Sequence, residues 1–472
     1  MNESPVFAIV GHPNEGKSSV LSTLTEDDQV TVSSYPGETV VCQRFPVRIN
    51  GEIILEFVDT PGFQNPNKVL RWMLKSGKTD EALLEAFLDE HRHIPEFHHD
   101  CELMKPLREG AGVIYVVDCS RPLTEVDEAE MEILRLINKP RMAVINFKEE
   151  ELEYMDAWKT SFRRHFNVIR EFNAHRAGYR DRIALLETLK AIHQEWEPVL
   201  NRAIATFRDD WEYRKARVAE EIVAYLEWAL HHHVEKAYAS ESETERMKQV
   251  SLETYRDAIS KRETGIFKDI RRLYHHKLYD FKLPGHSILN EDLFSDKTWQ
   301  LLGLSRKQLA LAAASMGAGL GAALDVAASG LTFGIFTAAG ALAMGGGALF
   351  KGRELSRIRI QRVPLGGSKI IIGPNRNPQF PFVLLDRALL YHRAISTRAH
   401  GLRQSKGSET SPQSILAELS SDMHGNLGKY FSRLGSPRVN TREEARAKLT
   451  GILIALLSDL SSSRNFHGLP SA

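Results

Sequence analysis

Gly11-His12-Pro13-Asn14-Glu15-Gly16-Lys17-Ser18-Ser19 is the most informative run in the chain. It follows the apolar run Val6-Phe7-Ala8-Ile9-Val10 and leads into Val20-Leu21-Ser22-Thr23-Leu24, which reads as a helix. A buried strand, a glycine-bracketed turn and a helix start are what a phosphate-binding loop requires. The glycines let the backbone curl so that its N–H groups point inward at oxyanions, and the helix N-terminus adds positive potential. In such a loop Lys17 reaches the β/γ-phosphates and the Ser18 hydroxyl sits on Mg²⁺. An ordinary glycine turn would not need the strand before it or the helix after it.

Around this stretch the chain has 472 residues, too many for one core, and it calls for two to four domains. Lys plus Arg and Asp plus Glu each number 61, so no global charge argues for nucleic acid or a basic membrane-surface protein. Cys42, Cys101 and Cys119 are too few for a disulfide framework, and reduced thiols in the cytoplasm are the simpler expectation. Met1-Asn2-Glu3-Ser4-Pro5 lacks the basic start of a signal peptide, and the apolar run behind it is short.

Downstream of the loop, Asn50-Gly51 separates two apolar runs, which predicts antiparallel strands near 43–49 and 52–58. The second strand ends in Val58-Asp59-Thr60-Pro61-Gly62. An Asp at the carboxyl end of a buried strand can hold Mg²⁺ through water, and a Gly three residues on brings its N–H to a γ-phosphate. Between these elements Tyr35-Pro36-Gly37-Glu38-Thr39 offers Thr39 as a direct Mg²⁺ ligand when a triphosphate is bound. Residues 112–118 and 141–146 read as further buried strands, 124–138 as an amphipathic helix and 181–196 as a closing helix.

The order Gly-x-Pro-Asn-x-Gly-Lys-Ser, Pro-Gly-x-Thr, Asp-Thr-Pro-Gly resembles the Era/EngA/TrmE branch of small bacterial GTPases, over about residues 5–196. The resemblance implies an α/β fold, a Ras-like P-loop GTPase domain whose mostly parallel six-stranded sheet carries nucleotide at the strands' carboxyl ends. It implies GTP/GDP and Mg²⁺ as cofactors. Where that branch reads guanine with Asn-Lys-x-Asp, this chain has Asn146-Phe147-Lys148-Glu149, with Glu149 one methylene longer than the usual Asp. The last base-binding turn corresponds to Asn173-Ala174-His175. An Asn at the position of Asn14 helps that branch coordinate K⁺ beside the phosphates. Together these readings give a nucleotide-contacting set of Gly11, Asn14, Glu15, Gly16, Lys17, Ser18, Ser19, Asp59, Gly62, Asn146, Glu149 and Ala174. Lys17, Thr39 and Gly62 act on the reacting phosphate, and Ser18, Thr39, Asp59 and Asn14 hold cations. Phe63 stands where Ras-like enzymes carry a water-positioning Gln, so hydrolysis should be slow.

An insert at 64–110 sits in the segment that rearranges when γ-phosphate is lost. It holds a helical stretch at 79–91 and the cluster His91, His93, His98, His99, Asp100 and Cys101, whose spacing fits no zinc pattern.

Beyond 1–196, the chain divides into helical arms at 197–300, a glycine-rich hydrophobic hairpin at 301–360, and a strand pair with helices at 361–472. The arms, read as helices at 199–239 and 242–280, place Trp211, Val218, Ile222, Leu226 and Leu230 on one stripe. In 309–350 the sole charge is Asp325, and Gly317-x-x-x-Gly321 and Gly330-x-x-x-Gly334 allow close helix approach. Arms of about 20 residues match a bilayer core, and Arg306, Lys307, Lys351 and Arg353 flank them, so both a membrane hairpin and a buried hairpin are open. Short strands are expected at 369–373 and 380–384, helices at 385–400, 414–434 and 441–462, and a Ser/Gly-rich linker at 401–413. This half is similar to a helical domain fused to such GTPases in bacteria, which assigns no activity.

The composite reading is a GTP-binding, GTP-hydrolysing switch that relays its nucleotide state to the helical domain, with dimerisation through the G domain. Its location is cytoplasmic, peripheral or hairpin-anchored at the inner membrane through 309–350. A dynamin-like membrane-remodelling machine is the rival. A ribosome- or RNA-linked assembly factor is third, with nucleic acid disfavoured by the absence of a basic stripe.

Overall fold

The computed structural model describes residues 4–12, 15–25, 41–49, 52–146, 153–173, 177–238, 241–274, 289, 291–295, 298, 301–302, 304, 308, 358–364, 368–397 and 414–462. Asn14, Thr39, Phe147, Glu149, Ala174, the stretch 309–350 and the expected linker at 401–413 lie outside them. The chain forms two compact units, the first holding Met1–Glu212 and the second starting at Tyr213.

The first unit is built on strands β1 (Val6–Val10), β2 (Gln43–Ile49), β3 (Glu52–Asp59), β4 (Gly112–Val117), β5 (Arg141–Asn146) and β6 (Val168–Phe172). They form one sheet in the order β2-β3-β1-β4-β5-β6, in which only the β2–β3 pair is antiparallel. The helices are α1 (Lys17–Thr25), α2 (Pro66–Ser76), α3 (Asp80–His91), α4 (His98–Arg108), α5 (Glu125–Ile137), α6 (Met155–His165) and α7 (Tyr179–Leu189). Because side chains alternate along a strand, each central strand feeds two cores. Ala8, Val10, Val113, Tyr115, Ala143 and Ile145 pack with residues of α2 to α6. Phe7, Ile9, Ile114, Val116, Met142 and Val144 pack with residues of α1, α7 and the start of α8 (Glu197–His231). Helices thus cover both faces, as a mostly parallel sheet requires.

The closing helix is shorter than the expected 181–196. α7 stops at Leu189, and two 3₁₀ turns, Lys190–Ile192 and Gln194–Trp196, follow around an extended His193 at φ −155°. The break places Trp196 edge-on to Phe7, ring centroids 5.0 Å apart, over Gly112, where a Cβ would come within 2.5 Å of the indole.

In the second unit α8 gives way at His231 to strand β7 (Val234–Tyr238), not to a helix reaching 239. Helix α9 (Thr244–Leu273) follows, then β8 (Ile358–Pro364), β9 (Ser368–Asn375), α10 (Gln379–Ser396), α11 (Ser421–Leu434) and α12 (Val439–Ser462). β7 and β8 flank β9, both antiparallel to it. The stretch 380–384, expected as a strand, is the start of α10: Asn377 Oδ1 accepts from Gln379 N at 3.0 Å, and Pro381 falls in the first turn, where its missing N–H does no harm. Phe380, Phe382, Val383, Leu384 and Leu385 are all fully buried, and a run buried on every side does not separate strand from helix by period. No helix among the described residues is long and apolar enough to cross a membrane.

The core of this unit carries charge. Arg387 of α10 donates two hydrogen bonds to Glu263 of α9, at 2.7 and 2.8 Å, with both side chains nearly fully buried. Removing one partner of such a pair strands the other in a low dielectric. Glu263→Ala is therefore expected to lower unfolding stability by about 3–5 kcal/mol, read as a lower denaturant midpoint at unchanged slope. Arg387 and Glu263 replaced together should recover part of that loss.

Candidate functional site

The loop after β1 leaves no space for side chains at its two glycines. Gly11 has φ +146°, and a Cβ there would lie 2.2 Å from the Val116 carbonyl oxygen of β4. Gly16 has φ +91°, and a Cβ there would lie 2.1 Å from Asn146 Nδ2 at the end of β5. Only glycine meets both conditions. Lys17 opens α1, and its ammonium folds back over the loop, donating to the carbonyls of Gly11 at 2.9 Å and His12 at 3.1 Å. Burial lowers its pKa, and the carboxylates of Asp59, Glu130 and Glu15 pull it back. Ser18 stands beside it at the helix start, half-buried, and Ser19 is buried.

Asp59 ends β3 opposite Ile9 in the parallel ladder and is 5 % exposed. The next residue, Thr60, donates its hydroxyl to the Ile9 carbonyl at 2.7 Å, which fixes the Asp59-Thr60-Pro61-Gly62 turn to β1. Gly62 is buried, and the Phe63 side chain, 2 % exposed, belongs to the core rather than to the loop's mouth. Asn146 donates from Nδ2 to the Glu15 carbonyl at 2.9 Å, tying the end of β5 to the loop. The structure thus brings Gly11, Glu15, Gly16, Lys17, Ser18, Ser19, Asp59, Gly62 and Asn146 to the carboxyl ends of adjacent strands.

Two buried charge systems behind the loop escape the sequence reading. In the first, Glu15 accepts from the Asp118 amide and from Arg121 Nε at 2.7 Å. Arg121 also grips both oxygens of Asp127, at 2.8 and 2.7 Å, and lies 5.2 Å from the Trp158 ring centre. Burial pushes the Glu15 carboxyl up, against Arg121. Burial also opposes the charge of Asp127, but Arg121 and Thr124 outweigh it and hold that carboxyl low. In the second, His12 Nδ1 meets Glu130 Oε1 at 3.2 Å, and the Tyr115 hydroxyl donates to Glu130 Oε2 at 2.9 Å. The signals were present: Thr124-x-x-Asp127 is a capping box, and Glu130 lies on the apolar stripe of α5, where a carboxylate needs a partner.

The histidine-rich insert is built differently from a metal centre. His91 stacks on Phe87 at 4.4 Å with its Nδ1 3.0 Å from the Phe87 carbonyl oxygen, and Trp72 and Phe97 meet its ring edge-on. Among the described residues no group of three or more His, Cys, Asp or Glu is placed to hold a metal.

A mostly parallel sheet with a glycine-bracketed loop, a lysine over its carbonyls and an Asp at the neighbouring strand end defines a Ras-like P-loop domain. Comparison with known families agrees: a profile described as "50S ribosome-binding GTPase" matches residues 6–147. A second profile, "Domain of unknown function (DUF3482)", matches residues 159–456, more than half of the chain, and the chain belongs to that family. GTPase Der of Symbiobacterium thermophilum is 29 % identical over 170 residues, covering 35 % of this chain and 31 % of the relative. The tRNA modification GTPase MnmE of Pseudothermotoga lettingae is 26 % identical over 148 residues, covering 31 % and 26 %. Among solved structures, Era in complex with MgGDPNP and part of 16S ribosomal RNA aligns at 20 % identity over 40 % of this chain and 57 % of that one, with a TM-score of 0.29. The chain spans between a quarter and a third of the length of these curated relatives.

The hydrogen bond to Glu130 raises the His12 pKa above its ordinary value, despite partial burial. A folded-state pKa above the unfolded one gives stability that is complete below the unfolded value and lost as pH rises through the folded value. The stability advantage of the wild type over His12→Gln should therefore be largest below the ordinary imidazole pKa of about 6.5 and fall as pH rises above it. Paired denaturant titrations on either side of that value check it, and an advantage independent of pH would contradict the ion pair.

Proposed function

We propose that the first unit binds GTP with Mg²⁺, hydrolyses it slowly, and relays its nucleotide state to the helical part of the chain. The observation that carries this reading is the cradle itself, with Lys17 folded over the Gly11 and His12 carbonyls and Asp59 buried beside it. The donor set fits a divalent cation: a hydroxyl at the first turn of α1, and a carboxylate at a strand end within reach of the same charge. Ser18 and Thr39 would hold Mg²⁺ directly and Asp59 through water, while the Gly16 and Gly62 amides would donate to phosphate oxygens. Mg²⁺ supplies charge neutralisation across the β- and γ-phosphates. Asn146, Glu149 and Ala174 would contact the base, with the Glu149 carboxylate accepting from the guanine N–H groups. Phe63 leaves no polar side chain after Gly62 to orient water, which supports slow turnover.

A second reading, a membrane-tethered dynamin-like machine, is favoured by one observation: 309–350 holds a single charge, Asp325, between basic flanks. Co-sedimentation of the full chain with vesicles separates it from a switch that stays in solution.

Lys17→Ala removes the main cationic partner of the phosphates in a site otherwise made of backbone dipoles. It is expected to abolish binding of labelled GTP while leaving the fold intact by circular dichroism; in the wild type, GTP should outcompete ATP at equal concentration. A folded variant with unchanged affinity would overturn the loop assignment.

The Asn14 position supports a further cofactor. With Phe63 in place of Gln, a K⁺ ion held by Asn14 and backbone carbonyls of the 30–36 segment would supply the charge of an arginine finger. That segment would be ordered by pairing of two G domains. GTP turnover should rise several-fold in K⁺ over Na⁺ at equal ionic strength, and Asn14→Ala should erase the difference with binding retained.

A further inference from the structure

The insert between β3 and β4 grips both segments that flank the nucleotide site, and its grip is made at the start of α4. Asp100, in the first turn of that helix, is 0 % exposed. Its Oδ1 accepts from the backbone amides of Gln64 at 3.0 Å and Asn65 at 3.3 Å. The next turn outward adds to the hold: Asn65 Nδ2 donates to the Glu96 carbonyl at 2.8 Å, and Lys68 pairs with the Glu96 carboxylate. Two residues past Asp100, the Glu102 carbonyl accepts from Cys42 Sγ at 3.1 Å, and Cys42 directly precedes β2. The Phe63 side chain shares a core cluster with Val69, Leu84, Phe87 and Leu103 of the insert's helices.

These contacts converge on a short span. Thr60 is pinned to β1 and Gln64 is pinned to Asp100, so the backbone of Pro61, Gly62 and Phe63 is stretched between two fixed points. An amide that meets a phosphate oxygen must be placed within a few tenths of an ångström, because misplacement forfeits much of the electrostatic gain. A buried carboxylate with two backbone donors is a stiff anchor: charge-assisted bonds are about twice as strong as neutral ones. Burial raises the Asp100 pKa and the two amides oppose that rise, consistent with a carboxylate held by its donors.

We infer that Asp100 is a positioning residue for the proposed GTP reaction: it sets the Gly62 amide toward the γ-phosphate through the Gln64–Asn65 backbone. The inference rests on the nucleotide reading above. It assigns to the insert a part that a mobile segment plays alone in a minimal domain.

The test uses the full-length wild type, Asp100→Ala and Asp100→Asn, with GDP and non-hydrolysable GTP-analogue affinities, single-turnover hydrolysis and hydrogen exchange of the peptide spanning 60–66. Asp100→Ala should hold GDP within about twofold of wild type, lose analogue affinity, and hydrolyse GTP on the order of 10- to 100-fold more slowly. Its 60–66 peptide should exchange faster even without nucleotide. Asp100→Asn keeps the Oδ1 acceptor and should restore most of the rate and the protection. Should Asp100→Ala not fold, Asp100→Ser makes the same comparison, since its shorter side chain does not reach both amides and its rate must fall below that of Asp100→Asn. A wild type that binds no guanine nucleotide overturns the loop reading and this inference with it. A wild type that turns over GTP, beside an Asp100→Ala variant with unchanged rate and exchange, overturns the positioning role alone.

Discussion

The first unit depends on a steric condition: residues 11 and 16 have no side chains. A Cβ at either place would come within 2.2 Å of an atom of β4 or β5, well inside van der Waals contact. At residue 16 the neighbour is the Asn146 side-chain amide, which would have to leave the Glu15 carbonyl; at residue 11 it is a backbone carbonyl of a buried central strand, which cannot yield, and the loop would have to lift. Lifting it would separate the Lys17 ammonium from the Gly11 and His12 carbonyls it now bridges. The sheet order sets β1 between β3 and β4. It brings Asp59 to one side of the loop and the Val116 carbonyl to the other.

A curled loop of this kind concentrates charge, and the surrounding residues show how it is balanced. Three carboxylates, on Glu15, Asp59 and Glu130, act on the buried Lys17. Unpaired, two of them would be costly neighbours for a polyphosphate. Arg121 takes Glu15 and His12 takes Glu130, so what faces the loop's mouth is a lysine and one carboxylate fit for a divalent cation. Arg121 does this while bound to Asp127 at the capped start of α5 and lying against Trp158 of α6. The elements on either side of β5 are thereby held to the loop by one guanidinium.

What the sequence made legible is local and periodic. Asn50-Gly51 signals a hairpin, and β2 and β3 pair antiparallel on either side of it; Gly11 and Gly16 mark the strand–loop–helix because the backbone at those two positions favours glycine. The misreadings occurred where the deciding contact is distant in sequence. Val234-Glu235-Lys236-Ala237-Tyr238 is a strand because β9, more than a hundred residues on, supplies its ladder. Phe380 to Leu384 is helical because the run is enclosed on every side and Asn377 caps it. The expected 181–196 helix ends at Leu189, and the turns that follow seat Trp196 over Gly112. At the site, the residues proposed to contact nucleotide carry motif spacing, whereas Glu130 and Asp100 stand out only as polar residues among apolar helix positions and Arg121 only as a loop arginine before α5.

The second unit uses buried polarity for a different purpose. A pair such as Arg387–Glu263 adds little net stability over a well-packed apolar pair, since desolvation consumes most of the Coulombic gain. Its effect is on register. Sliding α10 against α9 by one turn would exchange one set of aliphatic contacts for another at small cost, yet it would leave a guanidinium and a carboxylate buried and apart. The neighbouring groups add the same kind of constraint. Asp386 accepts from the amides of Ile415 and Leu416, and His424 places its Nε2 2.7 Å from the Leu416 carbonyl oxygen, which seats the segment before α11 on α10. His392 meets the Tyr274 hydroxyl at 2.8 Å, and burial lowers its pKa to about 3, so it is neutral at any ordinary pH and serves as a fixed hydrogen-bonding partner rather than a titrating one. With α9 and α10 fixed in this way, β9 is held between β7 and β8 at one register.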